Sequence, residues 1–129
     1  MTHYLAAQQV LFIHARLIAA TGGEHGVRDL SLLQSAVARS QATFDGKDLY
    51  SDLFLKAAAL LESLAQNHPF VDGNKRTAIT SAALFLLRNG RSLQTTNSDL
   101  ETFTFHIVNN HPPLEEVAAW FEKHSQPVA

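Results

Sequence analysis

Nine consecutive residues, His68-Pro69-Phe70-Val71-Asp72-Gly73-Asn74-Lys75-Arg76, concentrate the reactive groups of this chain. An imidazole accepts the proton of an attacking hydroxyl near neutral pH, and His68 stands four residues before Asp72. A carboxylate such as Asp72 suits magnesium, which takes one or two carboxylates together with substrate phosphates and several waters. Gly73 permits a tight turn and leaves space for another molecule's atoms to approach the backbone. Lys75 and Arg76 add two positive charges where a helix is expected to begin, and the first N–H groups of a helix have no internal partners. A base, a metal ligand, a backbone nest and two cations are what phosphoryl or nucleotidyl transfer needs, because positioning and charge neutralisation supply most of that catalysis. Each residue alone has an ordinary explanation: His-Pro ends a helix, Asp-Gly makes a turn, and Lys-Arg is a solvated pair. Their convergence at one helix start favours a site.

The elements around this segment read as helices. The first is expected from Ala6 to Ala20, with Val10, Ile13 and Leu17 on one face and Gly22-Gly23 ending it. A second runs from Asp29 to Ser40 with Leu33, Ala36 and Val37 inward. Gln41 to Tyr50 contains an Asp45-Gly46 turn and reads as a surface loop or small hairpin. The third helix spans Ser51 to Gln66 or Asn67, and Leu53, Phe54, Ala57, Leu60, Leu61 and Leu64 keep a 3.6-residue period. The fourth, Asn74 to Asn89 with Gly90 as its stop, is apolar around nearly its whole circumference and is expected at the centre of a bundle. Ser98-x-x-Glu101 reads as a capping box for the fifth helix, and Pro112-Pro113 opens the sixth, with Leu114, Val117, Ala118 and Phe121 as its buried stripe. No strand pattern stands out. The fold class is therefore all-α, about six helices in one domain, residues 1–129, around a central buried helix.

Composition narrows the function classes. Ten Lys and Arg against twelve Asp and Glu give a net charge of −2, with no basic stripe, so direct nucleic-acid binding is not expected. The chain has no cysteine, which removes disulfides, thiolate metal sites and a thiol nucleophile together. The N-terminus lacks the basic and apolar stretches of a secretory signal. The richest apolar run, Ile79 to Leu87, is nine residues long, well short of the roughly 18 of a membrane span. A cytoplasmic protein without a membrane partner is the expectation. The remaining histidines suggest no zinc site: His14 reads as a packed or partly exposed helix residue, and His106 and His111 fall on different faces. Trp120 and Phe121 read as core.

His68 to Arg76 resembles the signature of the Fic/Doc family, H-[P/x]-F-x-[D/E]-[G/A]-N-[G/K]-R, at every fixed position. The wider chain is similar to the family's compact death-on-curing branch over nearly its full length, with Gly26-Val27-Arg28-Asp29 and Ala38-Arg39-Ser40-Gln41 as supporting features. The resemblance implies a Fic-type helical bundle with His68 as catalytic base and Asp72 as the Mg2+ ligand. It implies Gly73, Asn74, Lys75 and Arg76 as holders of the ATP phosphates, and Phe70 as a core anchor of the motif loop. The loop Gln41 to Asp48, including Thr43, Phe44, Asp45, Gly46 and Lys47, falls where the family's flap docks the target polypeptide.

Two positions depart from the AMP-transferring members. Lys75 replaces a second glycine, and Ile79 replaces a second arginine, removing a bidentate phosphate contact. Doc-type toxins share both changes; they bind ATP in reverse and transfer its γ-phosphate to elongation factor Tu, which stops translation. The resemblance thus favours a phosphotransferase toxin, with ordinary AMP transfer as the alternative and a non-catalytic binding module as a third reading. It also implies a small antitoxin that inhibits in trans, and the chain itself contains no convincing Ser/Thr-x-x-x-Glu-Gly/Asn inhibitory element.

Overall fold

The computed structural model describes residues 1–128. Among the described residues six helices are joined by one small β-hairpin and one two-stranded pairing: α1 (Ala7–Thr21), α2 (Leu30–Arg39), β1 (Thr43–Phe44), β2 (Lys47–Asp48), α3 (Leu53–Asn67), α4 (Asn74–Arg88), β3 (Arg91–Leu93), α5 (Asn97–Asn110), α6 (Leu114–Lys123) and β4 (Ser125–Pro127). Short polar side chains start three of the helices by accepting orphan N–H groups. Asp29 accepts from Leu32, Asp52 from Leu55 and Thr96 from Asp99. The fifth helix thus begins two residues earlier than its Ser98 capping box suggests, because Thr96 takes the capping position.

The apolar periodicity of α3 is fully used. Nine of its residues are buried, including Leu60, Leu61 and Leu64, and three consecutive alanines, Ala57 to Ala59, let neighbours approach on several sides. As a result α3 packs against α2, α4, α5 and α6. The expectation that α4 is enclosed all round needs correction. Phe85 and Leu86 are wholly buried, but Leu87 is 49% exposed, and Ala83 and Leu84 are only half-buried. The apolar residues of α4 outnumber the neighbours available to cover them, and α3 with α4 together form the central pair.

The Asp45-Gly46 turn produces the expected hairpin, with Thr43 opposite Asp48 and Phe44 opposite Lys47. Its root is held by Lys56, a lysine 3% exposed whose ammonium donates to Asp48 (3.0 Å) and to the Tyr50 carbonyl (2.6 Å). The second pairing was not expected from the sequence. β3 and β4 run antiparallel with Ser92 opposite Gln126, so the C-terminal segment returns beside the end of α4. Among the described residues no helix is long and apolar enough to cross a membrane.

Candidate active site

The motif loop is strapped between three elements. Its first residue, His68, ends α3 in the left-handed conformation (φ 48°, ψ 56°), a geometry that costs a non-glycine residue energy and swings the chain away from the helix axis. Arg28, in the α1–α2 connection, donates to the carbonyls of His68 (2.7 Å) and Asn67 (2.9 Å), satisfying the end of α3. The Pro69 carbonyl accepts from the N–H groups of Arg28 (2.8 Å) and Asp29 (3.1 Å), and Val71 N–H donates to Gly26 (3.1 Å). The chain before α2 and the motif loop therefore lie side by side, paired like a short piece of sheet at Val27 and Phe70.

Inside the loop the roles divide. Phe70 is 1% exposed and anchors the segment in the core. The Asn74 side chain closes the loop on itself: its Oδ1 accepts from Phe70 N–H and its Nδ2 donates to the Phe70 carbonyl, both at 2.9 Å. Those two bonds fix the amide in the loop, and Asn74 adds its backbone N–H to the start of α4. Gly73 is also explained differently from the sequence reading. It has φ 77°, and a Cβ there would stand 3.0 Å from Ile18 Cδ1, so the glycine is demanded by backbone conformation and by packing against α1.

His14 enters the site from α1, which the sequence reading did not foresee. Its ring lies flat on Phe70, centroids 3.8 Å apart and 5° from parallel, and Nε2 is 2.8 Å from the Asp72 carbonyl. A carbonyl only accepts, so Nε2 carries the proton. The Asp72 carboxylate is held by two backbone donors, Gly73 at 2.8 Å and Glu24 at 3.1 Å. The Glu24 N–H is the strongest influence lowering its pKa from the ordinary 3.8, followed by Gly73, while Arg76 and His14 add a smaller pull against the opposing effect of burial. Asp72 is therefore ionised at neutral pH. Each of its oxygens keeps a lone pair beyond those two bonds, so Asp72 could serve as one of the one or two carboxylates that hold magnesium beside phosphates.

Thr77 N–H donates to Gly73, whereas the N–H groups of Asn74, Lys75 and Arg76 have no backbone acceptor among the described residues. These three free donors at a helix N-terminus form an anion nest. The two cations flank it in different ways. Arg76 turns toward the end of α1, donating to Thr21 Oγ1 and lying 3.4 Å from the Gly22 carbonyl. Lys75 is exposed, with its ammonium 5.2 Å from the centre of the Phe105 ring.

His68, Asp72 and the residues from Gly73 to Arg76 open on one cleft of about 560 Å³. Its opposite wall is α5, which contributes Asn97, Leu100, Glu101, Thr104 and Phe105. That spacing is one helical face. No residue of the Gln41 to Asp48 flap lines the cleft. The flap's root is fixed at Lys56, about 18 Å along α3 from His68 at the helical rise.

The family model described as Fic/DOC matches residues 4–86. Toxin Doc of Mycolicibacterium smegmatis is 55% identical over 93 residues, 72% of this chain and 69% of that protein. Protein kinase doc of Escherichia phage P1 is 36% identical over 87 residues, 67% of this chain and 68% of that protein. The matched stretch of the family model contains the whole motif and ends before α5, so the far wall of the cleft lies outside it.

Proposed function

This chain belongs to the Fic/DOC family, and we propose that it is a Doc-type toxin transferring the γ-phosphate of ATP to a hydroxyl of a target protein. The observation that carries the proposal is the shared cleft: an exposed imidazole, an ionised carboxylate and three free N–H donors face one space. His68 takes the proton of the target hydroxyl as its oxygen bonds to the γ-phosphorus. The bond from that phosphorus to the bridging oxygen breaks, and ADP leaves. The nest formed by Asn74, Lys75 and Arg76 holds the phosphates in line and offsets their charge. Asp72 would hold magnesium, which neutralises phosphate charge when bound.

Two features support phosphate transfer over AMP transfer. Lys75 brings an ammonium into the cleft where a glycine would bring none, and Ile79, 8% exposed, puts an apolar surface there where a guanidinium would bind phosphate. The relative from phage P1 carries the name protein kinase. The target we propose is elongation factor Tu, docked by the Gln41 to Lys47 flap, with translation arrest as the outcome. A small antitoxin would neutralise the protein in the cytoplasm by covering the cleft.

The test is intact mass of elongation factor Tu after incubation with the protein, ATP and magnesium. A gain of one phosphate, absent with His68→Ala, is the expected result. A gain of one AMP would overturn the kinase assignment and leave the site. No gain would overturn the target.

A further inference from the structure

The structure assigns a second job to the far wall of the cleft: Phe105 is the stacking platform for the base of the bound nucleotide. This rests on the reading of the α4 N-terminus as a nucleotide phosphate site. A nest of three N–H groups and two cations takes the phosphates alone, yet the cleft of about 560 Å³ is of the size that encloses a whole small ligand. The part beyond the phosphates, a sugar and a flat aromatic base, must meet α5.

Among the described residues that form that wall, Phe105 is the only aromatic ring. It is not needed by the core, where α5 uses Phe103, Thr104 and Ile107, and it remains 48% exposed. The Lys75 ammonium sits 5.2 Å from its centroid. One ring thus touches the phosphate-binding end of the cleft and offers free area to a base beyond it. Stacking on an aromatic face is tolerant of base identity because every base presents a π-face. Glu101 lies one helical turn before Phe105 on the same wall, where its carboxylate accepts from N–H groups on the base edge.

The experiment compares ATP with inorganic tripolyphosphate, which has the phosphates and no base, in the presence of magnesium. Binding to the full chain is measured by calorimetry for wild type, Phe105→Ala and Phe105→Trp. Phe105→Ala should weaken ATP binding by about 5- to 100-fold, the range for loss of one base–aromatic stack. Tripolyphosphate binding should stay within about twofold, and Phe105→Trp should restore ATP binding. Equal weakening of both ligands would overturn the inference, because Phe105 would then act only through Lys75. Unchanged ATP affinity in Phe105→Ala would also overturn it while leaving the phosphate site intact. Failure of wild type to bind either ligand would overturn the nucleotide reading itself.

Discussion

Replacing His68 by glycine should make the protein more stable and inactive at once. The residue sits at φ 48°, ψ 56°, where a side chain costs roughly 1 kcal/mol and glycine adopts the conformation freely. Its imidazole is exposed and has no hydrogen-bond partner among the described residues. Nothing in packing is therefore lost on truncation. The carbonyl that Arg28 holds at 2.7 Å is backbone and survives the change. His68→Gly should gain about 1 kcal/mol over His68→Ala, which keeps the strained conformation. For 129 residues, an unfolding entropy of about 270 cal/mol/K turns that gain into about 4 °C in Tm. Scanning calorimetry on wild type and both variants measures it. Transfer should fall by about 10²–10⁴-fold in both variants, the range for a lost general base. His111 offers the internal comparison. It caps α5 with φ 47°, ψ 57° but lies away from the cleft, so His111→Gly should leave transfer unchanged. A His68→Gly protein no more stable than His68→Ala would refute the strain assignment, and one that still transferred at the wild-type rate would remove the imidazole from the chemistry.

Asp72→Asn should weaken magnesium dependence and destabilise the protein at neutral pH, since an amide cannot accept from both Glu24 and Gly73. The folded pKa of Asp72 lies below 3.8, so its contribution is full above that value and is lost as pH falls through the folded pKa. The gap in chemical stability between wild type and Asp72→Asn should therefore close below pH 3.8 in urea titrations, and a pH-independent gap would contradict it. Phe70→Ala removes a ring that is 1% exposed and carries His14 on its face; a loss of about 3–5 kcal/mol is expected by denaturant unfolding. Gly73→Ala should cost about 1–2 kcal/mol through φ 77° and the Ile18 contact, and Ile18→Ala should not rescue it if conformation is the larger cause. Phe44 is 76% exposed at the flap, so Phe44→Ala should leave Tm within about 2 °C and raise KM for the protein target without lowering kcat; an unchanged KM would take the flap out of target docking.

The helices were legible in the sequence because their apolar residues recur every three or four positions, and α3 shows this best. The hairpin was legible from Asp45-Gly46 alone, since few other dipeptides accept two adjacent positive φ values. β3 and β4 were not. Arg91-Ser92-Leu93 and Ser125-Gln126-Pro127 are too short to alternate, and their pairing joins positions far apart in the chain. At the site, the motif residues announced themselves by density, but their division of labour did not. That the Asn74 amide closes the loop, and that Gly73 answers to Ile18, are facts about neighbours in space. His14 illustrates the same limit, for a histidine in an amphipathic helix carries no mark of the carbonyl it will meet 58 residues later. The α5 wall was missed because its five cleft residues form no chemical pattern until α4 stands opposite.

That wall has a consequence for a protein made in sequence order on the ribosome. The nest is synthesised by Arg76, whereas Phe105 follows 29 residues later. Nor is α5 secured when it emerges: Phe103 stacks on Trp120 at 3.8 Å and meets Phe121 edge-on, so its seat arrives with α6. A nascent chain that has passed Arg76 exposes half a cleft until α6 emerges, and one terminated in that interval never acquires the rest. The cell that produces this protein meets the assembled cleft only after α6 has followed α5 out of the ribosome.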